Sequence, residues 1–370
     1  LYVHIPFCKQ ICTYCDFHKE MATFSKQSNY IDALLQEIEI HKNQLNCIET
    51  IFIGGGTPSG LSLELQEKVL KKLAQTIDIN NVIEFSIESN PNDINQEMIT
   101  LWKQYGINRV SVGVQTFDDK QLSALNRSHR KTDIDTAIHL LKKNGITNIS
   151  IDLIFSLINQ TIEDVKSDLR HFIELDIDHI SYYSLILEEK TTLMYLYNKK
   201  MIELNSEELE SDMYNLIIDS LKDNGYSHYE ISNFTKNKKE SLHNKAYWTN
   251  QEYLGLGSGA HSLFENKRFF NIPNVKEYTT CVLDNKDYRT SYPRDEFYEE
   301  CIMGLRLMEG INIGDINAKY DIDLIHDVPL LEDYIHQGYL QMEDNRLRFT
   351  RKGLMVGNVI FGLFMEVRGC

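Results

Sequence analysis

Three of the chain's seven cysteines, Cys8, Cys12 and Cys15, fall within eight residues at the spacing C-x3-C-x2-C, directly after the short apolar run Leu1 to Ile5. No other feature constrains the fold as strongly, because three thiols on one loop after a strand can grip a single metal centre. A structural zinc site usually takes four protein ligands, and the next cysteine, Cys47, is far along the chain, so the set is one ligand short. A cubane iron–sulfur cluster held by three cysteines leaves one iron open for a small molecule. The plain alternatives are a disulfide with a spare thiol, or three unrelated core cysteines, although scattered core cysteines rarely cluster at such spacing.

From residue 1 to about 190, a β-branched run, a turn and an amphipathic stretch repeat roughly every 30 to 35 residues. The strand candidates are Leu1 to Ile5, Thr50 to Ile53, Ile83 to Glu88, Arg109 to Val114, Ile149 to Ile154 and His179 to Leu187. Helical periodicity covers Tyr30 to Gln44, Leu63 to Thr76, Asn95 to Tyr105 and Ile134 to Asn144, with Gly106 and Gly145 where a helix stop is expected. Such units read as parallel βα repeats, too few to close an eight-unit barrel. Residues 191–294 are less regular, with a helix near Ser206 to Asn224 and a loop-rich segment from Tyr229 to His261. In residues 295–370, helical stretches at Glu299 to Leu307, from Ile313 and at Leu330 to Gln337 precede an alternating run, Gln341 to Thr350, that turns at Asp344-Asn345.

A formal net charge of -16 and a pI near 5.2 argue against nucleic acid as a partner, since phosphate contacts need basic patches. No run of about eighteen apolar residues is present, so no membrane span is expected. The first residues lack the regions of a signal peptide, and Leu1 opens so directly into a strand that a few native residues are expected to precede it. An odd number of cysteines without an export signal points to the reducing cytoplasm, with Cys47, Cys281, Cys301 and Cys370 as free thiols.

The cysteine loop, with Tyr14 just before the last cysteine, resembles the signature of the radical S-adenosylmethionine (SAM) superfamily. Tyr2, His4, Pro6 and Phe7 before Cys8, and Asp16-Phe17 after Cys15, resemble the branch that holds the oxygen-independent coproporphyrinogen dehydrogenases and the heme chaperones. The dehydrogenases carry a further cysteine two residues past the third; here that residue is Phe17, which favours the chaperone side. The resemblance implies an α/β fold: an open (β/α)6 partial TIM barrel over residues 1–190 with the 4Fe-4S cluster and SAM at the C-terminal strand ends. A linking region (191–294) and a C-terminal α+β winged-helix-like accessory domain (295–370) follow. Given the acidic balance, that last domain reads as a lid or docking surface rather than a DNA reader.

Ile53-Gly54-Gly55-Gly56-Thr57-Pro58 follows the second strand, and consecutive glycines free the backbone for polar contacts. A triple glycine alone is more often a turn. The family match carries contacts with the SAM amino and carboxylate groups onto Gly55, Gly56 and Thr57. Glu88, at the end of the third strand, is either a solvated strand terminus or, by resemblance, the ribose contact. Gln115, Arg127 and Asp152 match positions that hold SAM, in some relatives a second SAM; Tyr2 and Tyr14 belong to the same cofactor-binding set. Asp152 lies within a strand, where an unpaired carboxylate is costly, and pairing with Arg127 is one relief. Where relatives read Gly-Leu-Pro-Gly-Gln-Thr, this chain reads Ser156-Leu157-Ile158-Asn159-Gln160-Thr161, which puts any ligand contact of that loop in doubt.

His243 stands in His243-Asn244-Lys245-Ala246-Tyr247-Trp248, read as a loop, before the glycine-rich stretch Tyr253 to Ser262. A histidine beside aromatics is more often structural, yet an imidazole next to flat apolar surface suits heme iron and porphyrin, and both segments resemble the heme chaperones. His243 is the first choice of heme ligand and His261 the second.

Three functions follow. The favoured one is a heme chaperone that binds heme and passes it to an acceptor protein, with SAM on the open iron of a 4Fe-4S cluster. Its implied partners are that acceptor, an electron donor and, through the acceptor, the periphery of a membrane. The alternatives are an oxygen-independent coproporphyrinogen dehydrogenase that cleaves SAM, and a structural zinc protein.

Overall fold

A computed structural model describes residues 1–365; Cys370, expected as a free thiol, lies outside the described residues. Six strands run parallel in chain order: β1 (Tyr2–Ile5), β2 (Thr50–Gly55), β3 (Glu84–Ser89), β4 (Arg109–Gln115), β5 (Asn148–Phe155) and β6 (His179–Ser184). Helices α1 (Phe24–Ile40), α2 (Leu63–Thr76), α3 (Gln96–Gln104), α4 (Asp119–Ala124), α5 (Lys131–Lys143) and α6 (Ile162–Glu174) connect them. Their starts are set by caps that accept orphan backbone N–H groups: Ser62 from Leu65, Asn95 from Met98, Asp118 from Gln121 and Thr161 from Asp164. Gly106 and Gly145, at φ of +88° and +81°, follow the ends of α3 and α5, as the sequence predicts. Strands buried on both faces join the helices in one large core that includes Val110, Ile149, Leu73 and Phe172. This is the expected open, partial α/β barrel.

The sheet does not stop at six strands. After α7 (Thr192–Asn198) and α8 (Glu207–Asp223) come the short strands β7 (Ser227–Glu230) and β8 (Asn233–Thr235); β8 pairs antiparallel with β6 and β7 antiparallel with β8 at the sheet edge, while β9 (Gly255–Leu256) pairs parallel with β1. The sixth strand ends at Ser184 rather than at the expected Leu187. Helix α9 (Leu242–Trp248) occupies the segment that the sequence reads as loop: Ser241 caps it by accepting from Asn244 N–H. A three-stranded sheet, β10 (His261–Phe264), β11 (Lys267–Asn271) and β12 (Arg289–Tyr292), follows, with α10 (Val275–Leu283) placed between β11 and β12 against α1.

The C-terminal part has its own core, built on Phe297, Leu305, Leu331 and Leu347. It comprises α11 (Glu296–Arg306), β13 (Ile311–Asn312), α12 (Ile313–Tyr320), α13 (Leu324–Asp327), α14 (Leu330–His336) and the hairpin β14 (Leu340–Glu343) and β15 (Arg346–Phe349). The hairpin turns at Asp344 and Asn345, both at positive φ, as that dipeptide predicts. This helix, helix and wing unit is bonded to the barrel edge: Ile231 N–H donates to Arg306 O at 3.1 Å and Met308 N–H to Tyr229 O at 3.1 Å. Among the described residues no helix is long and apolar enough to cross a membrane.

Candidate SAM and cluster site

The loop after β1 places Cys8, Cys12 and Cys15 at the C-terminal mouth of the barrel, half-buried and all three free thiols. That excludes the disulfide arrangement in this structure. Among the described residues no group of three or more His, Cys, Asp or Glu side chains is set out to hold a metal ion. Hydrogen-bond donors already face two of the sulfurs: Thr57 Oγ1 is 3.4 Å from Cys8 Sγ, and Arg127 Nη1 is 3.4 Å from Cys12 Sγ. Donors to cluster sulfurs are a means by which a protein sets cluster potential. Burial pushes the Cys8 thiol up to about 11, so ligation there must release a proton.

One cavity gathers nearly every expected residue. Its lining includes the three cysteines together with Tyr14, Gly55, Gly56, Thr57, Glu88, Gln115, Arg127 and Asp152. They meet because each follows, ends or sits within a strand, and parallel strands end at one mouth. The glycine segment behaves differently from expectation. Gly56 N–H donates to Ile5 O at 2.8 Å, Thr57 N–H to Phe7 O at 2.9 Å and Gly55 N–H to Glu88 Oε2 at 3.0 Å. These amides bind the end of β1, the start of the cysteine loop and Glu88, leaving carbonyls as the groups for an ammonium. Gly55 has φ of +116°, and a Cβ there would stand 2.5 Å from the His4 ring, so close strand packing demands glycine.

Glu88 is not a solvated terminus: burial, reinforced by the charge of Asp152, pushes its carboxyl up to about 8. Asp152 does not pair with Arg127. It accepts from Ser111 Oγ at 3.1 Å and from the Ser181 hydroxyl, which lie on the strands either side of it, and burial still raises it to about 6. The Arg127 guanidinium turns instead to Asn90 Oδ1 and Gly113 O, both at 2.6 Å, with Nε buried and unpartnered. Gln115 closes β4 at a register shift, with φ of +70°. The sequence reading missed Asn90, Ser111, Ser181 and Asp93; the polar run Asn90-Pro91-Asn92-Asp93 after a strand end was the available signal.

A second, wider cleft adjoins the first, and Phe17, Gly55 and Glu88 line both. Tyr2, Tyr247, Trp248, Tyr253, His261 and Met303 line this second cleft, the last from the C-terminal helix α11. Tyr2 therefore lies at the side of the SAM cavity rather than in it. Phe17 is 64% exposed. His243 reaches neither cavity. It lines a polar hollow inside the barrel with Tyr2, Glu88, Arg109, Asp152 and His179, its ring nitrogens bonded to Thr50 Oγ1 at 2.9 Å and Tyr247 OH at 2.8 Å. His261 is exposed, with Nδ1 3.2 Å from Tyr292 OH.

Comparison with known proteins bears on this geometry. The family model of the radical SAM superfamily matches residues 2–172, and that of the HemN C-terminal domain matches 292–356. The heme chaperone HemW of Lactococcus lactis is 37% identical over 98% of this chain and 96% of its own length, and that of Bacillus subtilis is 35% identical over 98% of each. The chain belongs to the HemW family of radical SAM proteins. Its fold is shared with the Escherichia coli coproporphyrinogen III oxidase HemN, with a TM-score of 0.84 over 98% of this chain and 89% of that one, at 24% identity. Radical SAM membership brings a 4Fe-4S cluster and SAM as the family's cofactors, and the three half-buried thiols, with donors at the sulfurs of Cys8 and Cys12, fit such a cluster.

Proposed function

We propose that this HemW-family chain is a heme chaperone that binds heme and passes it to an acceptor protein, with a 4Fe-4S cluster on Cys8, Cys12 and Cys15 and SAM on its open iron. One observation carries the reading: likeness to proteins named heme chaperones runs along nearly the whole chain, second cleft and C-terminal part included. A bound cluster would supply an iron that chelates SAM and a reducing electron. Around it, the carbonyls of Gly55 and Gly56 can meet an ammonium, Glu88 can accept from ribose hydroxyls, and Gln115, Arg127 and Asp152 close the far wall. The open, aromatic second cleft is the place this reading gives to porphyrin, whose flat face suits Trp248 and Tyr253. The phenyl ring of Phe17 stands between the two, where the dehydrogenases carry a thiol. The acceptor and the electron donor are taken to be proteins met in the cytoplasm, the acceptor at a membrane periphery.

The HemN-like fold and the intact SAM residues favour coproporphyrinogen dehydrogenase as the second reading. Anaerobic cluster reconstitution followed by heme titration and a coproporphyrinogen assay on one sample separates them. The expected result is a Soret band that saturates with heme and no protoporphyrinogen. Protoporphyrinogen formation without heme uptake overturns the chaperone reading.

A further inference from the structure

His243 is held so firmly that its own ring offers no free nitrogen to a heme. The backbone N–H groups of Leu242 and His243 donate to the buried Glu84 carboxylate at 3.1 and 3.0 Å, fixing the first turn of α9 on β3. The imidazole stacks on Phe52 with centroids 5.3 Å apart and planes 20° apart, and is 2% exposed. A neutral imidazole has one N–H and one lone pair. Here both nitrogens already have partners.

The two partners are not equivalent. Thr50 opens β2, so its hydroxyl is fixed by the barrel. Tyr247 lies one helical turn after His243, meets it edge to face at 5.1 Å, and lines both the open second cleft and the inner polar hollow, while His243 lines only the hollow. Tyr2 and Glu88 also line both spaces, but of the three only Tyr247 is hydrogen-bonded to the imidazole, through its hydroxyl. Metal-bound histidines characteristically donate their second ring N–H to a fixed neighbour, which orients the ring and sets the tautomer. Thr50 is placed to play that neighbour to Nδ1–H, which leaves the Nε2 lone pair facing the Tyr247 hydroxyl.

We propose that Tyr247 is a latch: its hydroxyl caps Nε2 of His243 in the heme-free protein, and heme in the second cleft is ligated through Nε2 when the phenol swings aside, with Thr50 holding the ring. The latch rests on the chaperone reading for its ligand, though not for its resting state. It makes Tyr247 and Thr50 positioning residues and confines ligation to molecules that displace the phenol.

The test uses full-length, cluster-reconstituted wild type, Tyr247→Phe, Thr50→Val and His243→Ala, titrated with heme and followed by Soret absorption and the axial-ligand signature in electron paramagnetic resonance. Tyr247→Phe is expected to bind heme about fivefold more tightly with an unchanged imidazole signature, the scale of one ordinary neutral hydrogen bond. Thr50→Val is expected to weaken binding and shift the signature, and His243→Ala to lose it. Ring ¹⁵N shifts of His243 in heme-free protein read the latch separately: Nε2 is expected unprotonated and hydrogen-bonded in wild type, and released in Tyr247→Phe. A wild-type imidazole signature in His243→Ala, or a proton on Nε2 of the heme-free protein, overturns the latch. Wild type that takes up no heme overturns the chaperone reading, and the ¹⁵N shifts still decide whether the latch exists.

Discussion

Asp93 and Ser59 share a hydrogen bond of 2.9 Å through which the three loops of the SAM cavity are joined. The other Asp93 oxygen takes Lys9 Nζ of the cysteine loop at 2.7 Å, and Ser59 Oγ accepts from Asn90 N–H at 3.1 Å. Lys9 is mostly exposed, with 65% of its side chain accessible against 4% for Asp93, so its half of the pair adds little in water. The buried half decides. Asp93→Ala is expected to destabilise the fold by about 3 kcal/mol, the scale for breaking a buried charged hydrogen-bond network, and to lower the iron retained after reconstitution. Asp93→Asn, which still accepts from Ser59, is expected to stay within about 1 kcal/mol of wild type. Thermal denaturation and iron content check both.

Gln115 and Arg127 close over the bare face of Gly113. A Cβ there would stand 3.0 Å from Gln115 Nε2 and 3.4 Å from Arg127 Nη2. Both obstacles are ends of long side chains, so the backbone need not move. Gly113→Ala is expected to fold with a melting point near that of wild type and to bind SAM about tenfold more weakly, because the guanidinium and amide are pushed off their positions. Calorimetric SAM titration of the reconstituted protein measures this; a loss of folding in place of affinity would count against the placement of these two groups.

Glu88 gives a pH dependence with a definite sign. Its folded carboxyl titrates near 8, raised from 4.5 by burial, so the folded state holds its proton more tightly than the unfolded chain does. That contribution to stability is complete below about pH 4.5 and is lost as pH rises through about 8. Glu88→Gln, neutral throughout and still able to accept from Gly55 N–H, is expected to gain on wild type as pH rises from 5 to 8.5 in paired denaturation curves. SAM binding should move the other way. The ionised carboxylate is the better acceptor for ribose hydroxyls, so wild-type affinity is expected to rise between pH 7 and 9, and Glu88→Gln to lose that component and bind about tenfold more weakly.

The strands that carry the site are legible in the sequence because β-branched runs of the right length flanked by turn residues have few other fates, and Glu88, Gln115 and Asp152 gather at one mouth once those strands are parallel. What escapes is register and brevity. Asp152 rests on Ser111 and Ser181 because β4 and β6 put serines beside it, an alignment that no local pattern encodes, so the guessed pairing with Arg127 is wrong. Strands β8 and β9 have three and two residues, too short for a period. Helix α9 is seven residues between irregular segments, and its identity as a helix turns His243 from a loop ligand into a packed side chain whose fourth neighbour, Tyr247, reaches its ring.

The C-terminal part is fastened beside the second cleft by Glu299 of α11. Arg268 of β11 donates to its carboxylate through Nε at 2.9 Å and Nη2 at 3.0 Å, Arg294 Nε adds a third bond at 3.0 Å, and Arg268 Nη1 also reaches Tyr253 OH at 2.8 Å in the cleft wall. The side chains are mostly buried, 9% accessible for Arg268 and 15% for Glu299. Removing the carboxylate leaves two guanidinium groups without their acceptor, which for a buried network costs about 3 kcal/mol. The loss falls on the contact between the C-terminal part and the sheet rather than on either core, since Phe297 and Leu305 pack on the opposite side of the helix turn within their own cluster. Glu299→Ala is therefore expected to leave SAM binding unchanged, to weaken heme uptake by about tenfold through the disturbed Arg268–Tyr253 wall, and to speed amide exchange in residues 292–306 and 261–271. Hydrogen exchange read by mass spectrometry, alongside the two titrations, checks it; equal loss of SAM and heme binding would show that the pair supports the whole molecule and not this cleft.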